Sequence, residues 1–125
     1  VVRIFKTKTL ARFTKRERIG DAALADAIDE TERGLVDADL GGYVIKKRVA
    51  RAGQGKSGGY RMLIAFRTKH RAVFLFGFSK NELDNVDDKQ LATLQETAAY
   101  WLAADVKTLG RAIADGILIE VQHDD

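Results

Sequence analysis

Apolar and polar positions alternate most regularly between Tyr43 and Phe78, where the chain reads as three successive strands. In the first, residues 43–50, period-two spacing sets Lys46 and Arg48 on one face and Ile45 and Val49 on the other, with Lys47 intruding on the apolar side. The second, residues 60–67, presents Tyr60, Met62, Ile64 and Phe66 on one face and Arg61, Leu63, Ala65 and Arg67 on the other. A turn at Thr68 to His70 leads into a strongly apolar third strand, residues 72–78. The short connections predict an antiparallel meander. Between the first two strands, Gly53-Gln54-Gly55-Lys56-Ser57-Gly58-Gly59 is too rich in glycine for a regular element and is expected to be a loop.

The flanks read as helices and short strands. Val1-Val2-Arg3-Ile4-Phe5 is β-branched and aromatic, as a strand requires, and Thr9 is a candidate cap for a first helix in which Leu10 and Phe13 share a face. A second helix is expected from the cap at Asp21, the spacing of Leu24, Ala27, Ile28 and Thr31, and a stop at Gly34. Asp87 with Gln90 three residues later forms a capping box, followed by the apolar stripe Leu91, Leu94, Ala98, Trp101 and Leu102 of a third, longer helix. A last short helix is expected from Thr108 to Gly116, and Ile117 to Val121 has the character of a strand that either joins the sheet or docks on a partner. Length and the lack of any proline, repeat or composition break predict one domain over residues 1–125, with 107–125 as a candidate C-terminal extension.

Charge changes the picture. The net charge is only +3, but residues 1–39 carry 8 basic and 8 acidic groups, residues 40–81 carry 10 and none, and the remainder 3 and 10. The positive field therefore belongs to the meander, and Arg12, Lys15 and Arg16 of the first helix extend it. Such segregation suits a polyanion, although the outer face of a half-buried sheet is also commonly solvated by lysine and arginine.

Composition removes several chemistries. There is no cysteine and there are only two, well-separated histidines, so neither a disulfide framework nor a zinc site is expected, and no cofactor is implied. No apolar run approaches the roughly 20 residues that span a bilayer, and the expectation is a cytoplasmic protein without a membrane partner. Gly55-Lys56-Ser57 invites comparison with a phosphate-binding Walker loop, but that pattern needs glycine where Ala50 stands, and a strand rather than a helix follows. His70, His123, Ser57 and Ser79 lack partners for nucleophilic or base work in the sequence.

A cationic constellation remains: Lys46 and Arg48 on one strand face, Arg61 at the start of the next strand, and Lys80 beyond the third. RNA carries its own nucleophile, the 2′-hydroxyl, so a protein cleaves it by orienting that group and stabilising charge on the scissile phosphate, without a metal. Arginine clamps phosphate oxygens, while a lysine among other cations is suited to proton transfer.

At these residues the chain resembles a known family. Asp39-Leu40-Gly41-Gly42, the run Ile45 to Arg51, Gly53 to Arg61, and Gly77-Phe78-Ser79-Lys80-Asn81-Glu82 are similar to the RelE/HigB-type toxins of bacterial toxin–antitoxin modules, within the RelE/ParE superfamily. The resemblance implies an α+β fold, an antiparallel β-sheet with N-terminal helices packed on one face and a C-terminal helix. It also implies a ribosome-dependent, metal-independent mRNA endoribonuclease neutralised by a cognate antitoxin, often of helix-turn-helix type. On this resemblance Lys46, Arg48, Arg61 and Lys80 are the expected catalytic residues. Lys47, Arg51, Lys56, Arg12, Lys15 and Arg16 are expected to grip RNA. Asn81 stands where the best-known members have a second arginine, and no tyrosine follows soon after Glu82, so the general acid and base are not assigned. The alternative is a ParE-like toxin that binds a protein target such as gyrase and has no nuclease activity.

Overall fold

The computed structural model describes residues 2–50, 59–79 and 86–123. In chain order these form β1 (Arg3–Thr7), α1 (Lys8–Glu17), α2 (Asp21–Glu32), β2 (Ala38–Asp39), β3 (Val44–Val49), β4 (Tyr60–Arg67), β5 (Arg71–Ser79), α3 (Asp88–Ala103), α4 (Val106–Ala114) and β6 (Leu118–Glu120). The fold is α+β, with six strands in the order β2-β3-β4-β5-β1-β6. The meander β3-β4-β5 is antiparallel, as the short connections demand. The sheet as a whole is mixed rather than antiparallel throughout, because β1 lies parallel to β5. Two helices separate β1 from the meander, a connection long enough to bring the chain back into the sheet beside a strand running the same way.

Local signals set the helix ends. Thr7, not Thr9, caps α1, its hydroxyl accepting the Leu10 amide at 3.2 Å. Asp21 is the first residue of α2 rather than its cap, and its carboxylate is taken by Lys6 at 3.0 Å and by the Gln122 amide at 2.8 Å. Gly34 ends α2 in the left-handed region (φ +86°), letting the Leu35 amide reach back to the Glu30 carbonyl at 3.0 Å. The capping box of α3 forms as read, with Asp87 accepting the Gln90 amide at 2.7 Å and Gln90 returning to the Asp87 amide at 3.0 Å.

Each face of the sheet buries its own apolar cluster. Ile45, Val49, Tyr60, Met62, Ile64, Ala72 and Phe74 pack under α1 and α2 against Leu10, Phe13, Leu24 and Ile28. Phe5, Val44, Leu63, Ala65, Val73, Leu75 and Phe78 pack under α3 and α4 against Ala98, Leu102, Leu109 and Ala112. The register of β4 on β5 shifts between Leu63 and Ile64, so that β5 carries one extra residue and both Leu75 and Phe76 join the second cluster. Gly77 is where α1 comes closest: a Cβ there would sit 2.6 Å from the Phe13 ring. Lys47, the cation on the apolar side of β3, is buried with its Nζ 2.7 Å from Glu30 Oε1 and donating to the Leu35 carbonyl at 2.8 Å, so the α2 layer neutralises it. The segment 117–121 joins the sheet: β6 pairs antiparallel with β1, and Arg3 holds Glu120 at 2.9 and 3.0 Å.

Candidate functional site

The alternation along β3 and β4 decides which cations meet. Val44 on β3, with Leu63 and Ala65 on β4, belongs to the α3–α4 side, so Lys46, Arg48 and Arg61 project from that same face. Arg48 and Arg61 are cross-strand neighbours, Lys46 lies opposite Leu63, and on the far side of β4 Arg61 lies opposite Phe78. The apolar layer thus ends at Phe78, and the three cations continue the face from there. Like charges directly opposite each other on a sheet are destabilising, so this pairing is not explained by folding.

Two details sharpen the electrostatics. Arg48, nearly half exposed (side chain 45%), has a counter-ion that the sequence pattern did not mark: Asp37, whose Oδ1 lies 3.3 Å from Arg48 Nε and whose Oδ2 accepts the Arg48 amide. Arg61 has none among the described residues. Its Nη1 is buried and makes no hydrogen bond to any of them. A buried guanidinium nitrogen left without an acceptor costs free energy, and an anionic oxygen arriving beside it removes that cost.

The other expected site residues that the structure describes fall elsewhere. Lys47 faces the opposite layer and is occupied by Glu30 and the Leu35 carbonyl, which withdraws it from this face. Arg12, Lys15 and Arg16 are exposed on α1, also on the other layer, where Arg16 pairs with Glu17 at 3.2 Å and covers the Phe13 ring at 5.5 Å. Tyr60 points away from Arg61, as alternation implied, and its hydroxyl donates to Glu17 at 3.0 Å. Lys80, Arg51, Lys56 and the glycine-rich loop as far as Gly58 lie outside the described residues. His70 meets the Leu102 carbonyl at 3.1 Å rather than another side chain that could activate it.

Among the described residues no group of three or more histidine, cysteine, aspartate or glutamate side chains could hold a metal ion, and no helix is long and apolar enough to cross a membrane. A groove of about 960 Å³ lies on the α1–α2 side, lined by residues that include Val2, Ala25, Asp26, Asp29 and Glu32. Its carboxylates give it the wrong charge for a polyanion, and none of the three clustered cations lines it.

A basic strand-pair face on an α+β sheet agrees with one further observation. Residues 2–121 match the family described as RelE toxin of the RelE / RelB toxin-antitoxin system. The chain belongs to the RelE toxin family. Comparison with curated proteins gives no match. As a RelE-family toxin it is one half of a toxin–antitoxin pair, and an antitoxin is its general partner. The family match covers nearly all described elements, β1 through β6, and does not favour the ParE-like alternative.

Proposed function

We propose that this RelE-type toxin is a ribosome-dependent, metal-independent mRNA endoribonuclease that arrests translation in the cytoplasm and is silenced by an antitoxin of helix-turn-helix type. The observation that carries the reading is the buried Nη1 of Arg61, without a partner among the described residues and directly across the ladder from Arg48. Two guanidinium groups side by side on a rigid sheet match the non-bridging oxygens of a phosphodiester, and their charge is worth most as the pentavalent phosphorane develops. The 2′-hydroxyl of the cleaved nucleotide attacks its own phosphorus, the bond to the 5′-oxygen breaks, and a 2′,3′-cyclic phosphate and a 5′-hydroxyl result. The 2′ proton leaves as the attack proceeds and another reaches the departing oxygen, so charge balances without a metal. Lys46, half-buried on the same face, assists one of these transfers. Lys80, expected from the family motif, is the candidate for the other. The ribosome supplies the alignment of the mRNA, and Lys56, Arg51 and the exposed cations of α1 are assigned to gripping RNA.

The test uses purified protein added to translating ribosomes. Cuts at codon positions are expected, and Arg61→Ala is expected to lower the cleavage rate by about 10²–10³ while the melting temperature stays near that of the wild type. Intact mRNA beside inhibited gyrase would overturn the reading in favour of a protein-binding toxin.

A further inference from the structure

Asp37 belongs to the site although no motif marks it. It sits just before β2, its amide donates to the Lys46 carbonyl at 3.1 Å, and its carboxylate brackets Arg48 twice, at the backbone amide and at Nε. The bracket reaches the guanidinium at its Nε edge, where Oδ1 lies 3.3 Å away. The backbone beside it is fixed by the β2–β3 pairing, Ala38 on Lys46 and Asp39 on Ile45, and the carboxylate itself is tied by the Arg48 amide.

We propose that Asp37 is a positioning residue that holds Arg48 by its Nε edge, directing the Nη edge to phosphate and weakening the pull of Arg48 on RNA in exchange for that alignment. This rests on the ribonuclease reading above. Two opposed effects follow from one carboxylate. Its charge lowers the local positive sum of Lys46, Arg48 and Arg61, which reduces affinity for any RNA strand. Its geometry removes rotamers in which Arg48 binds phosphate out of line, which favours the reacting arrangement. A residue that only supported the fold would move binding and turnover together, or neither.

The variant is Asp37→Asn, which keeps an oxygen for the Arg48 amide and removes the charge. Binding is measured to a 2′-O-methyl RNA strand, which lacks the nucleophile, over a series of salt concentrations, and turnover is measured on programmed ribosomes. Tighter binding by several-fold at low salt is expected, with the slope of log affinity against log salt steeper by about 0.7, the increment for one more phosphate contact on a single strand. A kcat about tenfold lower is expected in the same protein. Asp37→Glu keeps the charge and is expected to retain the wild-type slope. An unchanged slope in Asp37→Asn shows that Asp37 does not offset the charge of Arg48 toward RNA and overturns the assignment, as does an unchanged kcat beside a steeper slope. A wild-type protein that cuts no mRNA overturns the ribonuclease reading instead, and the salt slopes still decide whether the Asp37 charge offsets Arg48 in binding RNA.

Discussion

Arg71 donates through Nη1 to the Ala104 carbonyl at 2.8 Å, and the same nitrogen reaches the Trp101 carbonyl at 2.7 Å. The first residue of β5 thereby closes the C-terminal end of α3, where helix carbonyls lack internal partners and carry the negative end of the helix dipole. Burial, and then the charge of Arg3, pull the Arg71 pKa below its ordinary value, yet an arginine remains a cation at neutral pH. Replacing it by leucine leaves those carbonyls without their donor. Arg71→Leu is expected to cost about 2–3 kcal/mol and lower the melting temperature by roughly 10 °C, read by thermal unfolding. A change under roughly 3 °C would show that water takes over the role.

Acid should loosen the edge where β6 meets β1 and α2. Burial works to raise the Asp21 pKa, but the Gln122 amide and the Lys6 ammonium outweigh it and hold the carboxyl below the usual range. The Arg3 guanidinium, bonded to both oxygens of Glu120, does the same there. For carboxylates with depressed folded pKa values the contribution is complete above the unfolded value, near roughly pH 4, and disappears as pH falls through the folded value. The urea midpoint is therefore expected to be flat from pH 7 to 5 and to fall below about pH 4, and Asp21→Asn should shallow that fall. A midpoint that holds steady to pH 3 contradicts this.

Lys47 and Glu30 form the ion pair that pins β3 to α2, and the two ends differ in exposure, 5% for the lysine side chain and 22% for the glutamate. Removing the glutamate strands a buried ammonium, whereas replacing the lysine with an apolar chain of similar length removes the charge that needed a partner. Glu30→Ala is expected to cost about 3 kcal/mol and Lys47→Met to stay within about 1 kcal/mol of wild type, both measured by urea unfolding. Because Lys47 points away from the Arg48–Arg61 face, Lys47→Met should also leave RNA binding within about twofold of wild type.

The meander was legible because alternation is a direct record of which side of a sheet is buried: Tyr60 and Arg61 part to opposite faces, and Lys47 shows as the exception that α2 has to neutralise. The family was legible from spaced motifs in the same stretch, and residues 2–121 match it. What escaped depends on contacts between segments distant in sequence. Nothing near Arg3 indicates a parallel partner at Arg71, because the connection passes through α1, α2 and the meander. Arg71 read as one more cation of the basic segment, and only the arrival of α3 turns it into a cap. Asp37 carries no motif or periodic signal in the sequence. Its role follows from the two-residue strand β2, too short to leave a periodic signal, which brings it beside Arg48.

Tyr60 and Arg61 are chain neighbours on opposite faces, which gives a test of the site that overall damage to β4 cannot imitate. Tyr60 is 3% exposed, makes an edge-on contact with Phe13 at 5.4 Å, and donates its hydroxyl to Glu17. Tyr60→Phe keeps the ring and loses the hydrogen bond to Glu17, so a cost of about 1 kcal/mol in stability is expected, with cleavage on ribosomes within about twofold of wild type. Arg61→Lys keeps the charge but gives up the planar fork, and the compact ammonium cannot place two donors on one phosphate. Its stability should match the wild type or rise slightly, since the unsatisfied Nη1 is gone, while cleavage falls at least about tenfold. Equal cleavage by the arginine and lysine proteins would mean that charge alone matters at this position, and the two-guanidinium clamp would be wrong.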